Sequence, residues 1–192
     1  RALGLEWIPP ELREARGEIA LARECRLPRL IEPEDLQGDL HMHTTRSDGR
    51  DTIQTMVRAA RERGYEYCAI TEHSRSLAMA GGFDEARVRK SVAEIEAVRG
   101  AVPGIHVLHG LEVDILADGA LDLDDDALAL LDWVIVSLHS RLDQPPDVAT
   151  ERVLRALVLK DGLPLGVQMI GTREDFDAHA RTVKPALAAW KP

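Results

Sequence analysis

From Gly38 onward, short apolar runs alternate with amphipathic helical patterns, and this alternation constrains the fold more than any other feature. The strand-like runs are DLHMHT, YEYCAIT, IHVLHGLEVDI and WVIVSLH. The helix-like segments are TIQTMVRAARERG, FDEARVRKSVAEIEAVRG, DDDALALLD and DVATERVLRAL. Strands that alternate with helices at this spacing are typical of βαβ units, whose strands are parallel. The sequence therefore predicts an α/β fold with a parallel sheet.

The segments on either side of this region have a different character. Residues 1–37 are rich in Pro, Arg and Glu, and a short helix from about Pro10 to Cys25 is predicted there. After about Leu157, DGLPLGVQMIG predicts a strand and EDFDAHARTVKPALAAW a helix interrupted by Pro185. The apolar LPLGVQMI is expected to pair beside WVIVSLH or to form a separate extended arm, because a bare sheet edge promotes aggregation. Three parts follow: a linker arm (1–37), the α/β region (38–157) and a tail (158–192).

Composition narrows the classes of function. The net charge of −9 argues against a self-sufficient nucleic-acid binder, but it allows a nuclease module whose DNA is held by another domain. Cys25 and Cys68 form no CxxC pattern, so a reducing, cytoplasmic compartment is expected, with Cys68 as a buried core thiol. No apolar run approaches ~18 residues, so no transmembrane helix is predicted.

Side chains that can bind metal stand at or near the ends of the four strands predicted in the α/β region. The candidate ligands are His41, His43, Asp48, His73, Glu112 and His139. His41 and His43 are two residues apart, so they project from the same side of a strand end. The carboxyl ends of parallel strands meet at one edge, where α/β active sites are built, so these side chains are expected to converge. Histidine and carboxylate together suit Mn²⁺, Zn²⁺ or Fe²⁺.

Other polar groups favour structural roles. A single His at a strand end is more often structural than a ligand, but four successive strands with the same feature favour a metal site. His106 and His109 are three apart and are interpreted as structural or exposed. The acidic run DLDDD predicts a solvated loop with carboxylates at a helix N-terminus. AGG at 80–82 lacks the context of a phosphate loop, and His179 is expected on an exposed helix face.

Four of these motifs carry a family resemblance. DLHMHTTRSDG, ITEHS, GLEVDI and SLHS resemble the first four motifs of the PHP (polymerase and histidinol phosphatase) family. LGLEWIPPELREARGEI resembles the junction between the polymerase part and the PHP domain of bacterial family-X DNA polymerases, and the match covers about residues 2–157. The resemblance implies a distorted (β/α)7 barrel, of which this chain would form a part with parallel strands.

The resemblance also implies a site and a reaction. It implies up to three divalent ions, Mn²⁺, Zn²⁺ or Mg²⁺. His41 and His43 would bind the first ion, and Glu112 would bridge the first and the second. His139 would bind the second ion, whereas Asp48 and His73 would bind the third. The implied activity is a metal-dependent 3′-5′ exonuclease and 3′-end phosphoesterase, acting on DNA 3′ ends reached through upstream polymerase domains.

The later part of the chain departs from the family pattern. The family's HP-context histidine and its late Asp and His are not found, and DAH at 177–179 is interpreted as a coincidence inside a predicted helix. The tail resembles the C-terminal end of amidase-signature hydrolases, but nothing matches the Lys- and Ser-bearing catalytic segment of that family. We therefore predict a truncated PHP domain with a foreign tail, in which each ion lacks one ligand and activity is impaired.

Three alternatives to the exonuclease stay open. A small-molecule phosphatase of the histidinol-phosphate type is disfavoured by the IPPELRE arm, which resembles the polymerase branch. A non-catalytic remnant or docking module is consistent with the missing ligand motifs. An amidase ranks last, because its catalytic segment has no counterpart.

Overall fold

The computed structural model describes residues 4–158 and 165–167. Its chain divides into two compact units, Arg1–Leu36 and Gln37–Pro192. The division into three parts with boundaries after residues 37 and 157 stays a prediction.

The first unit contains three short helical segments. They are the 3-10 helices Pro10–Leu12 and Pro33–Asp35 and the α-helix α1 (Glu18–Arg23). The helix predicted from about Pro10 to Cys25 is wrong in its middle, where Ala15 (φ 56°) and Gly17 (φ 96°) are left-handed. A right-handed helix cannot continue through such residues, so α1 starts only after Gly17.

The second unit alternates strands and helices in the predicted order. Its strands are β1 (Gly38–Met42), β2 (Tyr67–His73), β3 (His106–Asp114), β4 (Trp133–Ser137) and β5 (Leu165–Val167). Its helices are α2 (Ile53–Glu62), α3 (Glu85–Ala101), α4 (Asp125–Leu128) and α5 (Pro146–Val158), with a 3-10 turn at Ala78–Ala80. All neighbouring strands are parallel, in the order β1-β2-β3-β4-β5. The predicted α/β class and the partial PHP-type barrel are confirmed, because the curled sheet and its helices form part of such a barrel.

The helices begin where the sequence offers capping side chains. Thr52 accepts a hydrogen bond from the Thr55 amide at the start of α2. Asp84 and Asp124 do the same at the starts of α3 and α4. Such caps satisfy backbone N–H groups that have no partner inside the helix, and each stabilises a helix by about 1 kcal/mol.

Two apolar clusters hold the helices on the sheet. One includes Val57 of α2, Ile95 of α3 and Ile70 of β2. The other joins β3 and β4 to α4 and α5. Cys68 belongs to the first cluster and is fully buried, as predicted, and burial raises the pKa of its thiol to about 11. Cys25 is exposed.

The predicted strand after residue 157 is confirmed over the three residues of β5. Leu165 pairs with Val134 and Val167 with Val136, so β5 lies parallel beside β4, as one of the two predicted arrangements requires. The rest of LPLGVQMI, the predicted helix with Pro185, and His179 lie outside the described residues. Among the described residues, no helix is both long and apolar enough to cross a membrane.

Candidate metal centre

The carboxyl ends of the first four strands bring the candidate ligands together. His41 lies in β1, and His43 follows directly after it. His73 is the last residue of β2 and pairs in register with Glu112 of β3. His139 comes two residues after the end of β4. Parallel pairing therefore places side chains from distant parts of the chain at one edge of the sheet.

The carboxylate of Glu112 lies at the centre of four imidazoles and is 1% exposed. Its Oε2 lies 3.1 Å from His41 Nε2, 3.3 Å from His43 Nε2 and 3.1 Å from His73 Nδ1, and its Oε1 lies 3.3 Å from His139 Nε2. The predicted convergence of Glu112 with histidines from the ends of β1, β2 and β4 is thus observed.

Asp48 joins the same cluster from the turn after β1. Its Oδ1 lies 3.7 Å from His43 Nδ1, and its Oδ2 lies 3.5 Å from His73 Nε2. Three overlapping groups could each hold a metal ion: His41, His43 and Glu112; His43, Asp48 and His73; and His73, Glu112 and His139. All six candidate residues are therefore brought together, and their binding of ions stays a prediction.

The hydrogen bonding of the cluster is incomplete. His43 Nδ1, His73 Nδ1 and Glu112 Oε1 are buried without a hydrogen-bond partner. His41 Nε2 and His43 Nε2 face each other at 3.1 Å. An unsatisfied buried polar atom costs about 1–3 kcal/mol, so such a cluster is costly by itself.

The donor set fits a divalent cation. Nitrogen and oxygen ligands at ~2.1 Å from one ion lie about 3.0–3.4 Å apart, which matches the spacing around Glu112. Mixed imidazole and carboxylate ligands suit Zn²⁺, Mn²⁺ and related ions.

The charge states in the cluster follow from burial and from Glu112. Burial tends to raise the pKa of Glu112, but hydrogen bonds from His41 and His43 lower it overall, so this carboxylate is ionised. Burial has the opposite effect on a histidine and tends to lower the pKa of His43. The nearby Glu112 carboxylate outweighs burial, so the pKa of His43 is raised. At His73 burial dominates and lowers the pKa. His73 is therefore neutral at pH 7, which leaves a nitrogen lone pair free to bind a cation.

Comparison with known proteins identifies the family. The model of the PHP domain family matches residues 39–162. The chain belongs to the PHP domain family. A relative in Bacillus subtilis, DNA polymerase/3′-5′ exonuclease PolX, is 41% identical over 178 residues, which are 91% of this chain and 31% of the relative.

Other PHP relatives are probable phosphatases. One from Vibrio campbellii is 26% identical over 146 residues, 74% of this chain and 56% of the relative. One from Photobacterium profundum is 31% identical over 103 residues, 53% of this chain and 39% of the relative. The chain therefore spans about a third of the B. subtilis relative and about half of these phosphatases. The alignment with the B. subtilis relative covers 91% of this chain, so it extends past residue 157 into the tail. The foreign origin of the tail stays a prediction.

Asp114 is a residue of this PHP site that the sequence analysis missed. It is 3% exposed, and its Oδ1 lies 3.0 Å from His139 Nδ1. Burial raises its pKa overall. A carboxylate at Nδ1 fixes the ring orientation of a histidine and leaves Nε2 for a cation. The signal was its spacing in GLEVDI, because residues 112 and 114 of a strand share one face.

Two histidines and an acidic residue that the sequence analysis considered lie outside the cluster. His106 is exposed, and the buried His109 contacts Ser91 Oγ at 2.8 Å and the Leu130 carbonyl at 3.1 Å, so both structural interpretations are confirmed. The solvated loop predicted for DLDDD is wrong at Asp122, which is 3% exposed. Asp122 accepts hydrogen bonds from Arg75 Nε at 3.1 Å and from the Ser76 amide, which explains its burial.

Proposed function

We propose that this chain is the metal-dependent phosphoesterase part of a family-X DNA polymerase and hydrolyses phosphodiesters at DNA 3′ ends. The observation that carries the proposal is the ring of four imidazoles around the buried Glu112 carboxylate. The similarity to B. subtilis DNA polymerase/3′-5′ exonuclease PolX supports the choice of DNA as substrate.

The residues of the cluster divide into overlapping ligand groups. His41, His43 and Glu112 would hold one ion, and Glu112 would share a second with His139. Asp48 and His73 would contribute to a third. A divalent ion bound here lowers the pKa of water and neutralises the oxygens of a phosphodiester. Glu112 supplies ionised oxygens on both sides, and Asp114 fixes the orientation of His139.

The net charge of −9 fits a catalytic part that relies on other domains to hold DNA. We therefore place the DNA-binding surface of the whole protein in polymerase domains outside this chain, in the cytoplasm. The activity of the isolated chain is expected to be weak, because each ligand group of the described residues offers only three side chains, all of them shared with another group except His41, Asp48 and His139.

A small-molecule phosphatase is the second candidate. The probable phosphatases from Vibrio campbellii and Photobacterium profundum support it. The polymerase relative is favoured, because its alignment covers more of this chain at higher identity.

The test is release of nucleotides from a 3′-labelled DNA strand with added Mn²⁺, beside hydrolysis of a small phosphate monoester. We expect slow cleavage that begins at the 3′ end, is lost with chelator and is lost in His41→Ala. His106→Ala is the matched control, because His106 is exposed and outside the cluster.

Monoester hydrolysis without DNA cleavage would favour the phosphatase instead. Failure of the unaltered chain to bind Mn²⁺ at millimolar concentration would favour a non-catalytic remnant and overturn the proposal.

A further inference from the structure

A second buried carboxylate, that of Glu72, lies behind the metal centre. Glu72 directly precedes His73 in β2, so its side chain leaves the opposite face of the sheet. It is 3% exposed and borders a small cavity whose lining includes Ile53, Ile70 and Ile95. Glu72 therefore faces the apolar core between sheet and helices, whereas His73 faces the cluster.

All hydrogen bonds to the Glu72 carboxylate come from one turn. The Thr44 hydroxyl donates to Oε1 at 2.5 Å, and the Thr44 amide donates to the same oxygen at 3.2 Å. The Ser47 hydroxyl donates to Oε2. Among the described residues, no Arg, Lys or His forms an ion pair with this carboxylate.

The turn that Glu72 holds carries Asp48. The amides of Ser47 and Gly49 both donate to the Thr44 carbonyl, at 3.1 and 2.9 Å. A Cβ at Gly49 would lie 2.4 Å from the His43 carbonyl oxygen, so the turn is too tight for another residue there. The position of the Asp48 carboxylate against His43 and His73 therefore depends on how this turn is anchored.

Fold stability alone does not explain a carboxylate at this position. A buried charge without an ionic partner is costly, and apolar replacement of buried charged groups is often neutral or stabilising. The cavity beside Glu72 offers the apolar side chains of Ile53, Ile70 and Ile95 to such a replacement, although Ser91 and Glu94 also line it. What an apolar side chain cannot do is hold the hydroxyls of Thr44 and Ser47.

We propose that Glu72 is a positioning residue that anchors the turn of residues 44–48 and so presents Asp48 to His43 and His73. This inference rests on the proposed metal centre. Glu72 itself contacts no ion, and it acts on binding through Asp48.

The test is a double-mutant cycle on Mn²⁺ binding, followed by the electron paramagnetic resonance signal of free Mn²⁺. Glu72→Gln keeps the shape but replaces one accepting oxygen, and with it the negative charge, by an NH2 group. The turn group that faces this NH2 must then accept a hydrogen bond instead of donating one. We expect it to weaken the binding of one ion about 10-fold, as loss of a supporting hydrogen bond does. Asp48→Asn should weaken the same ion, and the double variant should bind no more weakly than Asp48→Asn.

The matched control is Glu94→Gln. Glu94 also bonds to this turn, through Arg46 at 2.9 Å, but that pair is partly exposed. We expect Mn²⁺ binding within about 2-fold of the unaltered chain, because exposed ion pairs contribute little. If Glu72→Gln does not fold, Ser47→Ala removes one donor of the same anchor and should show the same non-additivity with Asp48→Asn.

A second measurement needs no metal. In chelator, amide hydrogen exchange across residues 44–49 should be faster in Glu72→Gln, and unchanged in Glu94→Gln. Unchanged Mn²⁺ affinity in Glu72→Gln, or additive losses with Asp48→Asn, would overturn the inference. If the unaltered chain binds no Mn²⁺, the proposed function fails, and exchange across the turn alone decides whether Glu72 anchors it.

Discussion

Two buried histidines on neighbouring strands, His73 and His109, have very different surroundings. They are 7% and 5% exposed, and burial lowers the pKa of both. Both ring nitrogens of His109 have hydrogen-bond partners, whereas His73 Nδ1 has none and faces the carboxylate of Glu112. Neither burial nor the direction of the pKa shift distinguishes the histidine of the candidate metal centre from the structural histidine, whereas the completeness of their hydrogen bonding does.

The partners of His109 also define its tautomer. The Leu130 carbonyl can only accept, so Nδ1 of the neutral ring carries the proton, and the Nε2 lone pair faces the Ser91 hydroxyl, which also contacts the Val88 carbonyl. The Ser91 side chain therefore occupies the position that a cation would need at Nε2. At His73 a carboxylate lies near each ring nitrogen, Glu112 at 3.1 Å and Asp48 at 3.5 Å.

The largest expected effect tests whether the cluster around Glu112, to which His73 belongs, binds metal. Glu112→Gln removes the negative charge that all four imidazoles share, so we expect Mn²⁺ affinity to fall by at least ~100-fold, beyond the range for supporting residues. Equilibrium dialysis with metal analysis measures it. Retained binding in Glu112→Gln would show that Mn²⁺ binding does not depend on the carboxylate at the centre of the four imidazoles.

The next largest effect tests whether His109 has a structural role. His109→Ala removes a side chain that is 5% exposed and leaves the Leu130 carbonyl without its partner, so we expect the free energy of unfolding to fall by about 1–3 kcal/mol, with Mn²⁺ affinity unchanged. Urea denaturation in chelator measures the stability, and His106→Ala serves as the exposed control. A loss of metal binding in His109→Ala at temperatures where it stays folded would break the distinction between the two histidines.

A smaller effect on Mn²⁺ affinity is expected from changing Asp114, which contacts His139 Nδ1. Asp114→Asn still accepts from His139 Nδ1, but without the negative charge, so affinity should fall by about 10-fold. Ser137→Ala is the control variant, since Ser137 Oγ also lies near the ring of His139, at 3.2 Å from Nε2, but carries no charge. Equal effects of the two variants would contradict a specific role for the carboxylate.

The smallest effect concerns pH. The pKa of His109 is lowered by burial, so the folded chain keeps it neutral while the unfolded chain takes up a proton near the ordinary value of ~6.5. The unfolded state then binds more protons, and stability is full above that pH and falls as pH drops below it. Urea midpoints in chelator between pH 7.5 and 5.5 should show this slope, and His109→Gln should reduce it. An unchanged slope in His109→Gln would assign the pH dependence to other groups.

The sequence predicted what depends on local pattern. His41 and His43 share a strand face because of their spacing, and the strand ends carrying His73, Glu112 and His139 meet because parallel strands do. These features need no knowledge of distant contacts, and the structure has all of them at one edge of the sheet.

What the sequence did not predict depends on partners far along the chain. Asp122 is buried because Arg75, 47 residues earlier, bonds to it. The hydrogen bond between Glu72 and Thr44 joins residues 28 positions apart, and nothing in the sequence near either residue predicts the other as its partner. The break in the first helix comes from Ala15, which has a left-handed backbone conformation. Alanine rarely adopts this conformation, so its presence in the sequence does not predict it.

The strand order of the sheet follows the order of the chain without exception from β1 to β5. Each new strand therefore needs only its predecessor as a template, and the sheet can grow one strand at a time while the chain leaves the ribosome. Contacts between successive units close short loops, which favours rapid folding. Of the residues in the ring, His41 and His43 are synthesised first, whereas Glu112 arrives with β3 and His139 only after β4. The ring of imidazoles is thus completed only when the first four strands, which support it, have all been synthesised.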